Sequence, residues 1–210
     1  MNVRWLFFGT LAAAALGLSS AAQAADEGWY LAADLGQAHY SGLTGSVATP
    51  AGYTSHTSDS DMGYRLSGGY QFNQYWGAEL GYVDFGQGEI NITQNSPGTD
   101  TLSAKVKAHG FVFAGTGTYP FHDAWSGFLR FGAIDGHVED DVSGTGGLAL
   151  LTGTTSSTDW KVTWGLGVNW SVASNWTLRA GWDQYSSLGN QNSTGEHDVN
   201  LLSIGAVYRF

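Results

Sequence analysis

Apolar and polar residues alternate with a period of two along most of this chain, and that pattern restricts its fold more than any other feature. In one run, the apolar positions Trp76, Ala78, Leu80 and Tyr82 alternate with Gly77, Glu79, Gly81 and Val83. Because successive side chains of a β-strand point to opposite faces, the alternation predicts strands with one bulky apolar face and one face of small or charged residues. The chain is therefore predicted to be all-β, with eight strands near residues 29–36, 64–72, 76–83, 101–119, 124–138, 158–171, 174–186 and 197–210.

The connections between these runs alternate between short and long. Short turns are predicted at 73–74, 120–123 and 173–175, and long loops rich in Gly, Ser, Thr, Asn and Asp at 41–61, 87–100, 139–157 and 187–196. Short turns at one end and long loops at the other are typical of outer-membrane barrels. The predicted fold is an eight-stranded antiparallel up-and-down transmembrane β-barrel, with both termini at the short-turn, periplasmic end. A closed sheet also pairs every backbone group, as surrounding lipid requires.

Aromatic residues cluster at every predicted short turn. They are Phe72, Tyr75 and Trp76 at the first turn, Tyr119, Phe121 and Trp125 at the second, and Trp170 and Trp176 at the third. Trp29 and Phe210 lie at the same predicted height near the termini. Tyr and Trp favour the boundary between lipid and water, whereas the core of a soluble sandwich would not require aromatic residues at each turn.

The first 24 residues have the form of a cleaved signal peptide. Arg4 gives a basic start, residues 6–18 are almost entirely apolar, and Ala22-Gln23-Ala24 is a small-residue cleavage pattern. The apolar run is shorter than the roughly 20 residues that a transmembrane helix needs. We therefore expect export from the cytoplasm, with residues 25–210 forming the single barrel domain.

Charge and cysteine content exclude several classes of function. The formal net charge is −10, which disfavours nucleic-acid binding because phosphates attract basic surfaces. The chain has no cysteine and therefore neither disulfides nor thiolate metal sites. No metal-binding motif is recognisable, and no cofactor is expected.

Five segments resemble the transmembrane domain of the outer-membrane protein A family. They are GGYQFNQYWGAELGYVDFG from Gly68, GWYLAADLG from Gly28, KAHGFVFAGTGTYP from Lys107, WTLRAGWDQY from Trp176 and the final LLSIGAVYRF. The resemblance implies a monomeric outer-membrane protein in contact with membrane lipids and lipopolysaccharide. It also implies delivery by periplasmic chaperones to the barrel-assembly machinery, which is expected to recognise Tyr208 and Phe210 as an assembly signal.

Strand phase predicts that most charged residues within the strands point into the barrel. The inward residues are Asp34, Arg65, Glu79, Arg130, Lys161, Arg179, Asp183 and Arg209. Arg or Lys facing lipid at mid-depth would cost about 2–4 kcal/mol, which favours this placement. The resemblance implies that Glu79 and Arg179 form an ion pair that blocks the lumen and acts as a gate, and we include Arg130 in the same candidate site.

Two positions of this candidate site differ from the family pattern. Thr116 stands where the family usually has Lys, and Asn169 stands where it usually has Glu. The pair is therefore less well partnered for switching, and two interpretations stay open. Either the charges only fill and neutralise the lumen, or they line a narrow gated path for ions or water.

Three functions are compatible with the sequence. We expect a membrane-structural or surface-interaction role, with a low-conductance gated pore for ions or small solutes as the alternative and a lipid A-modifying enzyme as a weaker one. No enzyme activity is predicted, because the six histidines are scattered and the nearest catalytic-type context, His56-Thr57-Ser58, lies in a predicted loop. The acidic loops, including Glu139-Asp140-Asp141, are either solvated or bridged by divalent cations to lipopolysaccharide phosphates.

Overall fold

The computed structural model describes residues 27–41, 52–95, 98, 100–190 and 194–210, so the predicted signal peptide lies outside the described residues. It has nine strands: β1 (Gly28–Ser41), β2 (Tyr53–Ser58), β3 (Ser60–Gln71), β4 (Trp76–Gln94), β5 (Thr101–His122), β6 (Trp125–Gly144), β7 (Gly153–Ser171), β8 (Trp176–Asn190) and β9 (Gly195–Arg209). A 3-10 helix, Gly146–Leu151, joins β6 to β7. Among the described residues there is no helix of the length and apolarity needed to cross a membrane.

Eight of the nine strands form a closed antiparallel ring, which confirms the predicted fold. The first strand of the ring, β1, pairs with both β3 and the last strand β9, so that Ala33 lies opposite Leu66 on one side and Ala206 on the other. The extra strand, β2, pairs with the far end of β4, beyond the part of β4 that pairs with β3. Together β2 and β3 therefore act as one interrupted strand of the barrel.

The strands are longer than the sequence pattern predicted, and most of the predicted loops belong to them. At the long-loop end, β4 and β5 remain paired as far as Thr93 and Thr101, and β6 and β7 as far as Val142 and Gly153. A predicted loop, 41–61, contains β2. These segments are polar on their outer face, so they lack the apolar stripe by which the shorter strands were recognised, although their backbones hydrogen-bond equally well.

The outer surface carries an apolar belt that starts at the short turns. Its exposed members include Leu31, Leu66, Leu80, Phe113, Leu129, Leu166, Leu178 and Ile204. Aromatic contacts follow the edge of the belt nearest the short turns, which we call its lower edge. There Trp125 stacks on Trp170 with ring centroids 5.6 Å apart, and the Trp176 ring lies 5.0 Å from that of Tyr208. Above the belt the outward residues become polar, beginning with Gln37, Asp84, His109, Asp135, Gln184 and Asn200.

The inner surface has two layers. Toward the short turns it holds buried charged residues, and toward the long loops it holds an apolar core of Ala38, Tyr40, Val83, Phe85, Val106, Ala108, Val112, Ala114, Ile134, Val138, Tyr185, Leu188, Val199 and Leu201. The alternation predicts small and charged residues along the whole lumen, and this apolar core departs from that prediction. Above the belt the barrel has water outside, and the hydrophobic effect there favours apolar side chains inside.

Candidate functional site

Six charged side chains meet inside the barrel, and all six were predicted to point inward. Three are carboxylates and three are guanidinium groups, so the cluster is formally neutral. Each is at most 8% exposed, and they come from five strands: Asp34, Arg65, Glu79, Arg130, Arg179 and Asp183. A buried charge needs a close partner of opposite sign, so the pairing within this cluster determines its properties.

Arg179 pairs most closely with Asp34. Its Nε lies 2.6 Å from Asp34 Oδ1, and its Nη2 also donates to Asp34 Oδ2. The two residues are on β8 and β1, which are separated by β9, and Gly205 of β9 is opposite both of them. A Cβ at Gly205 would overlap Asp34 Oδ1. The ion pair therefore crosses over a strand at the one residue type that leaves it room.

Arg130 and Asp183 repeat this arrangement on the other side of the barrel. Arg130 Nε lies 3.0 Å from Asp183 Oδ1, and Arg130 Nη2 lies 2.7 Å from Asp183 Oδ2. Gly165 of β7 is opposite both residues, and a Cβ there would overlap the Asp183 carboxylate. Two-point contacts of this kind are the strongest that a guanidinium makes with a carboxylate. The cluster is therefore built on two bidentate ion pairs, each of which passes over a glycine of the strand between its two residues.

Arg65 links the two pairs into one network. Its Nη2 lies 3.1 Å from Asp34 Oδ2 and its Nη1 lies 3.3 Å from Asp183 Oδ2. Strand phase predicts that Asp34, Arg65 and Asp183 point inward, but it does not predict their partners. Strand phase gives the direction of a side chain, whereas contact across two strand positions depends on the register and tilt of the barrel, which phase alone does not provide.

Glu79 lies at the edge of the network, and the structure brings it into contact with both residues predicted to accompany it. Arg179 Nη1 and Nη2 each lie 3.4 Å from Glu79 Oε1, and Arg130 Nη1 lies 3.9 Å from Oε2. Ser67 Oγ donates a hydrogen bond of 2.6 Å to Oε1, and Tyr30 donates a longer one of 3.5 Å to Oε2. Glu79 is thus held by neutral donors as well as by arginines. Its role as a gate stays a prediction.

The two positions that depart from the family pattern contribute no charge to this site. Thr116 is buried on the inner face of β5. Asn169 of β7 donates from Nδ2 to Ser126 Oγ at 3.4 Å. The remaining inward cations lie outside the network: Lys161 pairs with Glu196 at 3.1 Å, and Arg209 lies toward the short turns.

One group of catalytic residue types lies on the outer surface, and it was not predicted because His39 of β1 is distant in the sequence from Asp59 and Ser60, where β3 begins. His39 Nδ1 lies 3.0 Å from Ser60 Oγ and 3.6 Å from Asp59 Oδ1. In a catalytic triad the two ring nitrogens have different partners, one facing the nucleophile and the other the acid. Here the same nitrogen faces both groups, which is not the geometry of a triad. His56, which was predicted to lie in a loop, is in β2.

The acidic run of β6 is split between the two faces of the sheet. Asp141 points outward, accepts a hydrogen bond from Thr154 Oγ1 at 2.7 Å and lies 3.5 Å from Lys107 Nζ. Asp140 faces inward, where burial, assisted by the Asp141 charge, raises the pKa of its carboxyl to about 6. Within the described ranges, no three acidic, histidine or cysteine side chains are grouped as a metal site would require.

The residues of the predicted assembly signal lie at the lower edge of the apolar belt. The Tyr208 ring is 5.0 Å from Trp176 and 5.3 Å from Phe210, and Phe210 is 73% exposed. The backbone N–H of Phe210 donates to the Trp29 carbonyl at 3.1 Å and so joins the end of the chain to β1. Recognition by an assembly machinery stays a prediction.

Comparison with known proteins gives consistent matches. The family described as OmpA-like transmembrane domain matches residues 24–210. Outer membrane protein A of Yersinia pseudotuberculosis is 30% identical over 207 residues, which cover 95% of this chain and 54% of that protein. This chain therefore spans about half the length of the curated relatives that it matches.

Two solved structures share the fold at low sequence identity. Ail, the attachment invasion locus protein of Yersinia pestis, in complex with the heparin analogue sucrose octasulfate, has a TM-score of 0.54 at 16% identity, covering 89% of this chain and all of that one. Neisserial surface protein A has the same TM-score and identity, covering 87% of this chain and 97% of that one. On its closed ring, its apolar belt and the match over residues 24–210, this chain belongs to the OmpA-like transmembrane domain family and is an outer-membrane β-barrel.

Proposed function

We propose that this protein is a membrane-anchored platform that presents its long loops at the cell surface, combining a membrane-structural role with a surface-interaction role. The observation that carries the proposal is the continuation of the barrel beyond its apolar belt. There the outside is polar, with Glu89, Lys105 and Glu139 on the surface, while the inside is an apolar core. A packed core of this kind makes the part outside the membrane a rigid support for the connections between strands.

Buried side chains at two levels of the lumen favour this role over that of a pore. The network of three arginines and three carboxylates fills one level of the barrel, and side chains such as Phe85, Tyr185 and Leu201 fill the next. A conducting path through an eight-stranded barrel has to pass both levels, because side chains fill the interior of barrels of this size. The low-conductance gated pore therefore remains the second candidate, and it requires both layers to open.

The partners follow from the position in the outer membrane. We propose that the apolar belt contacts the acyl chains of membrane lipids and of lipopolysaccharide. The polar residues above the belt then face the head groups of lipopolysaccharide. A signal peptide at 1–24 would export the chain, and periplasmic chaperones and the barrel-assembly machinery would insert it. A monomer suits a barrel in which no strand edge is left open at the level of the belt.

The test is an epitope inserted at either end of the barrel. An insertion within Gly146–Leu151, in the β6–β7 connection, should be labelled by antibody on intact cells, whereas the same epitope within 173–175 should be labelled only after the outer membrane is opened. Planar-bilayer recording of the unaltered protein should show no unitary conductance. Regular conductance steps would favour the pore, and altered lipid A masses on expression would favour the enzyme.

A further inference from the structure

A small cavity lies below the charged network, on the side of the short turns. Its volume is about 40 Å³, and it is lined by residues that include Thr118, Arg130, Asn169, Thr177, Arg179 and Arg209. A second cavity shares Thr118, Asn169, Thr177 and Arg209 with it and reaches Gln74 and Asp123 on the short turns. The two together form a vestibule that opens at the short-turn end, which faces the periplasm in barrels of this class.

The inner cavity of this vestibule has an excess of positive charge. It is lined by three arginines and one carboxylate, Glu79, whereas the outer cavity has the carboxylate of Asp123. Arg130 and Arg179 already belong to the neutral network of three arginines and three carboxylates. Arg209 is the additional cation, and among the residues that the structure describes no carboxylate lies within ion-pair distance of it. The guanidinium of Arg209 is therefore not paired with a carboxylate in the described part of the chain.

Two guanidinium N–H groups of the residues that line this cavity have no acceptor. Arg130 Nη1 and Arg209 Nε are both buried and without a hydrogen-bond partner in the described part of the chain, and Arg130 itself is only 6% exposed. Arg130 Nη1 is 3.9 Å from Glu79 Oε2, beyond hydrogen-bond distance. Buried donors are nearly always satisfied in folded proteins, so an exception of this kind indicates a missing acceptor.

We propose that this cavity binds one small inorganic anion, of the size of chloride, between Arg130 and Arg209. The volume has room for about three water molecules, which suits a single small ion and excludes a larger organic acid. The hydroxyl groups of Thr118 and Thr177 and the amide of Asn169 supply further neutral donors. Water would also accept a hydrogen bond from these donors, but it would leave the charge of Arg209 unpaired. An anion accepts the hydrogen bonds and also pairs with that charge. The site is independent of the proposed surface role.

Bromide provides the direct test, because it replaces chloride and scatters anomalously. Crystals of the unaltered protein grown in sodium bromide should show an anomalous peak in the cavity, in contact with Arg130 and Arg209. In solution, the urea midpoint of the barrel in lipid vesicles should be higher in sodium chloride than in sodium gluconate at equal ionic strength, since gluconate is too large to enter.

Matched variants separate specific binding from general screening. Arg209→Gln should abolish the difference between chloride and gluconate, and Lys105→Gln, which removes the same charge at the opposite end of the barrel, should retain it. The proposal is overturned if the cavity holds only water in bromide crystals, or if the unaltered protein has the same midpoint in both salts. Because both of these measurements use the unaltered chain, a folding defect in Arg209→Gln leaves the proposal testable.

Discussion

Arg179 lies closer to Asp34 than to Glu79: its Nε is 2.6 Å from Asp34 Oδ1, whereas its Nη1 and Nη2 are each 3.4 Å from Glu79 Oε1. The pair implied by the family resemblance is therefore one edge of a larger network. Replacing Glu79 leaves Arg179 with a full partner, while replacing Asp34 removes the acceptor of both its strongest hydrogen bonds. The two carboxylates are not equivalent, and this has measurable consequences.

Asp34→Asn should destabilise the barrel more than Glu79→Gln. Loss of one partner from a buried ion pair typically costs about 3–5 kcal/mol, and Asp34 also binds Arg65. In a double-mutant cycle with Arg179→Met, the coupling to Asp34 should exceed the coupling to Glu79. The measurement is urea unfolding in lipid vesicles, followed by tryptophan fluorescence. Additive effects for both pairs would contradict the network as described.

Alanine at Gly165 or Gly205 should also destabilise the barrel. A Cβ at either position would overlap the carboxylate that passes over it, Asp183 or Asp34. Overpacking of this kind costs about 1–3 kcal/mol. Gly127→Ala is the control, because its Cβ would make only ordinary contacts at 3.9 Å. Equal unfolding midpoints for all three variants would show that the pairs do not depend on the space above the glycines.

Stability should fall as the pH rises through the range in which Asp140 titrates. Burial and the neighbouring Asp141 raise the pKa of Asp140 from 3.8 to about 6, so the folded state favours the protonated form. The resulting stabilisation is complete below the unfolded pKa of 3.8 and is lost as the pH rises from there through the folded pKa of about 6. After allowance for partial exposure of Asp140, we expect the free energy of unfolding to be about 1 kcal/mol lower at pH 8 than at pH 4.

Asp140→Asn provides the check on this pH dependence. It should flatten this part of the stability profile and raise the urea midpoint at pH 8. Val142→Ala, which alters a neighbouring side chain of β6 that cannot titrate, should leave the shape of the profile between pH 4 and pH 8 unchanged. A profile that is the same for Asp140→Asn and the unaltered protein would assign the effect to other groups.

Phe210→Ala should lower the amount of protein in the outer membrane. Phe210 is exposed at the lower edge of the belt, next to Tyr208, and its N–H closes the ladder to Trp29. Phe131→Ala is the matched control, because Phe131 is similarly exposed, at 69%, in the interior of β6. Heat-modifiable gel shifts of membrane fractions measure the folded amount. Equal losses for both variants would indicate general lipid contact rather than an assembly signal.

The sequence allowed the ring of eight strands and the inward direction of the charged residues of the lumen network to be predicted, because alternation reports directly on the two faces of a strand. It did not allow the apolar core to be predicted, although a signal was present. In β5 the outward residues change from Phe113 and Phe111 to Lys107 and Lys105, while the inward residues are apolar at both levels, as Val112 and Ala108 are. The loss of outward apolar residues, with the inward ones retained, marks the level at which the belt ends.

The pairing of the lumen charges could be predicted only in part. Asp34 and Arg179 are 145 positions apart in the chain, and neither strand phase nor composition relates them. Their contact depends on the closure of β1 onto β9 and on the space above Gly205. The sequence pattern identifies the glycines only as small residues of the inner face, whereas the structure assigns Gly165 and Gly205 to individual ion pairs.

The length of the strands beyond the belt also determines how far the tips of the loops stand from the membrane. From His109, at the upper edge of the belt, β5 continues to Thr101. At about 3.4 Å per residue and a strand tilt of about 40°, this part of the barrel rises about 20 Å above the lipid boundary. The strand ends, and not the loops alone, therefore set the distance of the loop tips from the apolar belt. Shortening two paired strands by two residues each would lower those tips in steps, while the same residues keep pointing inward because side chains alternate with a period of two.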